Sequence, residues 1–490
     1  MTSDSSRTVN VNHLEDVSDP RILNLIQHFE KKYQEKPSYL VRVPGRVNLI
    51  GEHIDYCGYA VLPMALSQDI MLACKVSTDN NIYLSNVDNK YEYHYCSVND
   101  IRISNERPLW YDYVLCGVKG ALDEVASKTN GTATINGHTQ NGDDNGVQNH
   151  GDFTSAFTGI KLAFSGTVPP AAGLSSSSAL VSASLLAMAY TLKIDLNRQK
   201  LATLSAISER YIGTLSGGMD QAIAFLGQKG CASYIQFNPL SATSVQLPKD
   251  AIFVIAHSLQ EANKAANQNY NIRVIECQLA SKIIAKNQNL NWKDIQTPKQ
   301  LQDALKLDLP EMISLCDRVL DQDVYSRKDI CEILEISQKY FVESLLTPKV
   351  RTLLFEFKLR QRGLHVFNEA YRVLKFRELC SSSKNDLEAL GQLMKESHDS
   401  LSNLYECSHE SLDKMVELGK SVNVRSRLTG AGWGGCIVAL CQKGREKVYI
   451  EVLKHEYYSK FEKKQFLGKS IDELVFSTQP QNGAEIFVVE

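Results

Sequence analysis

The chain has 490 residues, a length that suits two domains better than one. Charged residues make up 22% and hydrophobic residues 43% of it, the usual proportions of a soluble globular protein. With a formal net charge of −3 there is no basic field, so we expect neither a nucleic acid nor a membrane surface as a partner.

The cysteines and the first residues bear on the compartment. The chain starts with a polar, acidic stretch that lacks the apolar core of a signal peptide and the arginine-rich pattern of a transit peptide. The longest apolar stretch, 179–192, is interrupted by serines and is too short to span a bilayer. The twelve cysteines are scattered without a Cys-x-x-Cys pair. This pattern indicates reduced thiols, so we expect a cytoplasmic protein.

Strand and helix patterns alternate from the N-terminus onward. After a tail and helix over 1–37, we predict strands over 39–43, 61–76 and 81–87, followed by a helix over 110–126. Pro44-Gly45 is expected to end the first of these strands.

Composition changes sharply over 127–155, where Asn, Gly, Thr, Asp and Gln dominate. Such a segment has too little apolar surface to repay its ordering entropy. We predict a flexible surface insertion, and the sequence leaves its role open.

The alternation resumes after this insertion. We predict strands over 160–164, 251–256 and 436–441, and helices over 178–192, 200–211 and 271–286. Pro239 and Pro248 mark a domain boundary. We therefore predict a two-domain α+β protein, with domains over 38–245 and 246–490.

Residues 44–63 hold an unusual density of charged groups among glycines. Arg46, Glu52, His53 and Asp55 cannot all enter an apolar core without a high desolvation cost. They suit a polyhydroxylated ligand, but a solvated turn with a buried ion pair would show the same residues. From these residues alone both interpretations stay open.

Residues 173–178 read Gly-Leu-Ser-Ser-Ser-Ser, directly before an apolar helix pattern. Free amides and the helix dipole at such a start attract phosphate. A helix cap with spare serines is the alternative. Because Gly-Lys-Ser/Thr is absent, the segment is not a Walker A loop.

Two further segments contain glycine clusters. Asp220 follows Gly217-Gly218, and its local pattern is that of a helix cap. Residues 430–435 satisfy G-x-G-x-x-G, but a strand pattern follows, which argues against a dinucleotide fold. The segment is also consistent with a tight turn between closely packed backbones.

The run at 44–63 resembles, almost residue for residue, the signature of galactokinases and N-acetylgalactosamine kinases in the GHMP superfamily. The serine segment and residues 428–436 are similar to two other GHMP motifs, and the resemblance covers 38–126 and 157–475. It implies the two-domain GHMP kinase fold, with a ribosomal protein S5 domain 2-like N-terminal domain and a ferredoxin-like C-terminal domain. It also implies ATP-dependent phosphorylation of the anomeric C1 hydroxyl of galactose to galactose 1-phosphate.

The resemblance also assigns roles to residues. It implies Asp220 and Arg46 as catalytic residues. It implies contacts with the sugar from Arg46, Glu52, His53, Asp55, Gly217, Asp220 and Tyr270. It implies contacts with ATP from Gly173, Ser175, Ser176, Asn263 and Lys264, and ligation of Mg²⁺ by Ser177 and Glu209.

Several alternatives remain at this point. Cys57-Gly58-Tyr59 resembles the N-acetylgalactosamine kinases and eukaryotic galactokinases, whereas Tyr270 favours galactose because N-acetylgalactosamine kinases have Phe there. A non-catalytic galactose sensor on the same scaffold can lack part of the serine segment, which is complete here. We expect an active monomer and no nicotinamide cofactor. The sequence does not decide whether Asp220 accepts the sugar proton or only orients the hydroxyl.

Overall fold

The computed structural model describes residues 7–14, 19–104, 106–129, 157–261, 268–382, 386–466 and 468–489. The insertion predicted over 127–155 lies outside them, apart from three residues that end a helix. Among the described helices, none combines the length and the apolar character that a membrane span requires.

The described strands are β1 (Asn10–His13), β2 (Tyr39–Asn48), β3 (Pro63–Val76), β4 (Asn81–Asn86), β5 (His94–Ser97), β6 (Gly159–Gly166), β7 (Cys231–Gln236), β8 (Ser241–Gln246), β9 (Ala251–His257), β10 (Tyr325–Ser326), β11 (Glu356–Phe357), β12 (Arg425–Thr429), β13 (Cys436–Gln442), β14 (Val475–Thr478) and β15 (Glu485–Val488). The helices are α1 (Pro20–Tyr33), α2 (Trp110–Thr129), α3 (Ser176–Thr191), α4 (Arg198–Glu209), α5 (Met219–Leu226), α6 (Asn269–Asn287), α7 (Pro298–Leu305), α8 (Leu309–Val319), α9 (Arg327–Leu334), α10 (Gln338–Tyr340), α11 (Leu359–Ser381), α12 (Leu387–Asn403), α13 (Glu410–Lys420), α14 (Glu446–Glu456) and α15 (Ile471–Leu474).

The N-terminal half is built on a seven-stranded sheet in the order β1-β15-β2-β3-β6-β4-β5. Side chains of β2 alternate between its two faces, as a strand requires. Val41 packs with Ala183 and other residues of α3 in one apolar cluster, whereas Leu40 packs with Phe29 of α1 in another. The sheet is therefore covered by helices on both faces.

The last strand belongs to this N-terminal sheet, although we predicted residues 246–490 as a separate domain. β15 pairs in parallel with β1 and antiparallel with β2. Its Ile486 is fully buried in the same apolar cluster as Val41. The chain thus crosses from the first half to the second and returns with β15. No local pattern in the sequence predicts this return.

Strand β2 does not end at Pro44, so the predicted end at residue 43 is wrong. Its register with β3 shifts between Pro44 and Arg46, and pairing then continues to Asn48. A Cβ on Gly45 would lie 2.8 Å from the carbonyl oxygen of Leu174, so this approach requires glycine. Such an irregularity re-aims side chains next to it, here Arg46.

The C-terminal half contains a four-stranded antiparallel sheet in the order β12-β13-β9-β14. β13 begins directly after the cluster Gly430–Gly435, as predicted, and no helix follows these glycines. Each half combines a sheet with helices, which confirms the predicted α+β class.

Candidate active site

A cavity of about 400 Å³ lies where the two halves meet. The N-terminal half contributes Ser175, Ser176 and Ser177, and the C-terminal half contributes Ala431. We call residues 173–178 the serine loop and residues 430–435 the glycine loop.

Arg46 and Asp220 meet at this cavity, although 174 positions separate them. Nε of Arg46 donates to Oδ1 of Asp220 at 2.7 Å, and its Nη1 donates to the carbonyl oxygen of Gly173 at 2.6 Å. Burial disfavours the charged form of Arg46, but the carboxylates of Asp220, Glu52 and Asp55 outweigh it and raise its pKa. The guanidinium therefore stays charged beside the serine loop.

The hydroxyl of Ser178 connects the carboxylates of Glu209 and Asp220. The Ser178 hydroxyl lies 2.9 Å from Oε2 of Glu209 and 3.2 Å from Oδ2 of Asp220. Nε2 of Gln221 also donates to Oε2 of Glu209. Ser178 is buried, so its single hydrogen is the local donor between two carboxylates. Neither Ser178 nor Gln221 was predicted as a site residue.

The serine loop is more than a helix cap. Ser175 has a positive φ of 63°, and its side chain makes no capping hydrogen bond to α3, which begins at Ser176. Its Oγ is buried without a hydrogen-bond partner, and Ser175 is one of the residues that line the cavity. A buried hydroxyl without a partner is costly, which favours a polar ligand here.

Glu52 and Arg427 form a buried ion pair between the two halves. Nη2 of Arg427 donates to Oε2 of Glu52 at 2.8 Å, and its Nη1 donates to the carbonyl oxygen of Asn48 at 3.0 Å. Burial raises the pKa of Glu52, while Arg427 and Arg46 act against this shift. Glu52 is thus held in place by an arginine that no sequence motif indicated.

His53 also connects the two halves. Its Nδ1 lies 2.9 Å from the hydroxyl of Tyr56, and its Nε2 lies 3.0 Å from the carbonyl oxygen of Ala431 in the glycine loop. Its φ of 63° is a left-handed conformation, which is uncommon for a residue other than glycine. Strain of this kind is typical of functional loops.

Asp55, Gly217 and Tyr270 lie against this group. Oδ2 of Asp55 lies 3.5 Å from the amide of Met219, the neighbour of Asp220. A Cβ on Gly217 would lie 2.7 Å from Cγ of Asp55, so only glycine permits this approach. Burial raises the pKa of Tyr270, and the carboxylates of Asp55 and Asp220 add to it.

The predicted residues fall into two groups. The cavity is lined by Arg46, Gly173, Ser175, Ser176, Ser177, Glu209 and Asp220. Its lining does not include Glu52, His53, Asp55, Gly217 and Tyr270, which are joined to it through the contacts just described. Asn263 and Lys264 lie outside the described residues.

Aromatic side chains complete the cavity and were not predicted. Trp110, which opens α2, has its ring centroid 5.4 Å from that of Phe164 and 5.9 Å from that of Tyr91. Lys90 and Lys469 lie in the same wall. Aromatic residues such as Trp110 in a helix and Phe164 in a strand look like core residues in a sequence, so no local signal separates them from packing residues.

Comparison with known proteins agrees with this geometry. Three family models match: a galactokinase galactose-binding signature over residues 27–76, and the GHMP kinase N-terminal and C-terminal domains over 145–228 and 376–459. The two α+β halves, which these models match, form the two-domain fold of a GHMP kinase.

Relatives narrow the class further. The chain is 37% identical to a galactokinase of Dictyostelium discoideum, over 95% of this chain and 93% of the relative. It is 30% identical to a galactokinase of Saccharomyces cerevisiae, over 89% of both. The structure of Lactococcus lactis galactokinase complexed with galactose superposes with a TM-score of 0.67 at 22% identity, covering 94% of this chain and 99% of that one. The chain belongs to the galactokinase family.

Proposed function

We propose that the protein transfers the γ-phosphoryl group of ATP to the C1 hydroxyl of galactose, giving galactose 1-phosphate and ADP. One observation carries this proposal: the guanidinium of Arg46 bonds both the carboxylate of Asp220 and the carbonyl oxygen of Gly173 in the serine loop. The side chain of Arg46 thereby connects the carboxylate that would activate the sugar hydroxyl with the loop that would bind phosphate. The galactokinases that match nearly the whole chain support the same reaction.

In this proposal the sugar lies beside Asp220, held by the residues that the galactose signature contributes. Glu52, His53 and Asp55 belong to one loop, and Gly217 and Tyr270 pack against it. Carboxylates and a tyrosine hydroxyl are suitable partners for sugar hydroxyls. The buried pair between Glu52 and Arg427 holds one of these carboxylates in a fixed position.

ATP occupies the cavity in this proposal. The amides at the start of α3 and the unpartnered hydroxyl of Ser175 receive phosphate oxygens. The aromatic group of Tyr91, Trp110 and Phe164 provides an apolar surface suited to the base. The contacts predicted for Asn263 and Lys264 stay predictions.

Transfer requires positioning and charge neutralisation more than covalent chemistry. The C1 oxygen of the sugar forms a bond to the γ-phosphorus while the bond from that phosphorus to the β–γ bridging oxygen breaks. Asp220 accepts or attracts the proton that leaves the C1 hydroxyl. The charged guanidinium of Arg46 offsets negative charge on the phosphoryl group in transit.

The residues present fit a magnesium ion. Mg²⁺ is commonly held by one or two carboxylates together with substrate phosphates and waters. Glu209 and the hydroxyl-bearing Ser177 face the same cavity, which makes them suitable ligands. When bound, the ion would supply positive charge that offsets the negative charge of the phosphates. Among the described residues, no cluster of three or more His, Cys, Asp or Glu residues could hold a metal independently of a substrate.

We also propose that the protein acts as a cytoplasmic monomer. All twelve cysteines are free thiols, and ten are buried, as is usual in a reducing compartment. Sedimentation of the full chain tests the oligomeric state.

A sugar panel tests the reaction. ADP release is measured with ATP, Mg²⁺ and galactose, N-acetylgalactosamine or glucose, and phosphorus NMR identifies the product. We expect the highest kcat/KM with galactose and a phosphate on C1. A higher kcat/KM with N-acetylgalactosamine than with galactose would show that N-acetylgalactosamine is the preferred substrate. Sugar binding without ADP release would indicate a sensor.

A further inference from the structure

A chain of hydrogen bonds leads from the C-terminal half to residues 52–56, which we call the sugar loop. The Tyr56 hydroxyl lies 2.9 Å from Nδ1 of His53 and 2.7 Å from the hydroxyl of Tyr405. Sγ of Cys277 in turn lies 3.2 Å from the Tyr405 hydroxyl. Tyr405 and Cys277 are buried and do not line the cavity. These two residues play no part in the mechanism described so far.

One carbonyl group sets the direction of this chain. Nε2 of His53 lies 3.0 Å from the carbonyl oxygen of Ala431, which can only accept, so Nε2 carries a proton. In a neutral imidazole the other nitrogen is an acceptor, so Tyr56 donates to Nδ1. The oxygen of Tyr56 then accepts from the hydroxyl of Tyr405. Each member therefore fixes the proton position of the next.

Tyr405 itself is firmly held. Nε of Arg273 donates to the carbonyl oxygen of Tyr405 at 2.7 Å, and Nη1 of Arg273 is paired with Glu276 at 2.9 Å. The ring of Tyr405 packs on His365, with centroids 4.3 Å apart. The backbone and the ring of Tyr405 are thus held by the C-terminal half, and the same ring packs on His53 of the sugar loop, with centroids 4.9 Å apart.

We propose that Tyr405 is a positioning residue for sugar binding. Through Tyr56 it holds the ring of His53, whose tautomer the carbonyl oxygen of Ala431 sets, and fixes the sugar loop against the C-terminal half. It does not touch the sugar. This inference rests on the proposed function, because the sugar loop carries Glu52 and Asp55. Sugar affinity, more than phosphoryl transfer, should therefore depend on the Tyr405 hydroxyl.

The test removes only that hydroxyl. Tyr405→Phe keeps the ring and its packing but deprives the Tyr56 oxygen of its donor. We expect KM for galactose to rise roughly tenfold, with KM for ATP and kcat nearly unchanged. Tyr449→Phe is the matched control, because Tyr449 is also fully buried and donates its hydroxyl to the carbonyl oxygen of Met415. The control should lose stability without a change in KM for galactose.

Tyr56→Phe provides a second variant in case the first does not fold. It removes the donor to Nδ1 of His53 directly, so it should raise KM for galactose by at least as much. Because both substitutions interrupt one chain, the double variant should cost little more than Tyr56→Phe alone. Full additivity of the two effects would overturn the proposal.

Nitrogen NMR of histidine-labelled protein gives a readout that does not depend on catalysis. Wild type should show His53 as the Nε2–H tautomer with Nδ1 as an acceptor. Tyr405→Phe should keep this tautomer but shift the Nδ1 resonance, because the donor Tyr56 is no longer held in place. An unchanged Nδ1 resonance together with an unchanged KM for galactose would exclude this role of Tyr405. If wild type does not phosphorylate galactose, the proposed function fails, and the Nδ1 resonance still decides whether Tyr405 positions His53.

Discussion

Gly173 of the serine loop and Gly430 of the glycine loop touch through their backbones. A Cβ on Gly430 would lie 2.5 Å from the carbonyl oxygen of Gly173, and a Cβ on Gly173 would lie 2.7 Å from the carbonyl oxygen of Thr429. Gly435 approaches Ala172 in the same way, at 2.9 Å. The glycine loop therefore packs against the back of the proposed phosphate site. This close packing explains why the loop is rich in glycine, and no bound dinucleotide is needed to explain it.

Gly430→Ala should displace the serine loop and raise KM for ATP. Both the contact with Gly173 and the positive φ of 83° oppose a side chain at this position. Gly444→Ala is the control, because Gly444 has a similar φ of 92° but no atom within 4 Å of an added Cβ. Steady-state kinetics should show a higher KM for ATP in the first variant alone. Equal effects in both would mean that backbone strain, not the contact, matters.

Asp220→Asn should abolish turnover while leaving galactose binding largely intact. Asparagine keeps the shape of the side chain and an acceptor for Arg46, but it cannot take a proton. A positioned base contributes roughly 10²–10⁴-fold to rate, so we expect at least this loss in kcat. ADP release measures the rate, and titration calorimetry measures galactose affinity. Lost binding with preserved turnover would remove Asp220 from the chemistry.

Arg46→Ala should reduce kcat more than it reduces galactose affinity. The substitution removes a positive charge beside the transferring phosphoryl group and leaves the buried Asp220 without this partner. Arg42→Ala is the control on the same strand, because Arg42 pairs with Asp69 and does not line the cavity. It should affect stability only. Equal kcat in Arg46→Ala and wild type would exclude Arg46 from the mechanism.

Ser178→Ala should lower kcat roughly tenfold and increase the Mg²⁺ concentration needed for half-maximal activity. Without this hydroxyl, the carboxylates of Glu209 and Asp220 lose a shared donor, so their repulsion increases. Ser182→Ala on the same helix is the control, because its buried hydroxyl has no hydrogen-bond partner. Identical magnesium titrations for the two variants would contradict this role.

How far the sequence predicts this molecule depends on the range of the interactions. The family resemblance implies that Arg46 and Asp220 are catalytic residues of one site, and the two side chains do meet. The pairing of β15 with β1 and β2 has no such motif, since it depends on non-local strand pairing.

The supporting residues of the site show the same limit. Arg427, which pairs with Glu52, lies on a buried strand. An arginine is unusual there, but by itself it does not indicate which residue it pairs with. Ser178 lies in the serine run, yet only the structure distinguishes it from Ser177 by its contact with Glu209. Tyr405 stands in a segment without any motif. Residues that act through another side chain carry little local signal, because their role is defined by distance in space.

Acid should weaken the fold from about pH 6.5 downward, in part through His365. Burial lowers the pKa of His365 from 6.5 to about 3, so the unfolded chain binds a proton that the folded chain does not. Stability must then fall as pH drops through this interval, by at most about 1.4 kcal/mol per pH unit for one group. Burial likewise lowers the pKa of His257 to about 4, which adds a second contribution of the same sign.

His365→Gln should therefore reduce the difference in unfolding midpoint between about pH 7 and about pH 5. This window lies above the ordinary range of carboxylates, so it isolates histidine. Thermal melts of wild type and variant at both pH values measure the difference. The exposed His455 supplies the control as His455→Gln, which should keep the full wild-type difference. A His365→Gln variant with an undiminished difference would show that His365 takes its proton as readily in the folded protein as in the unfolded chain.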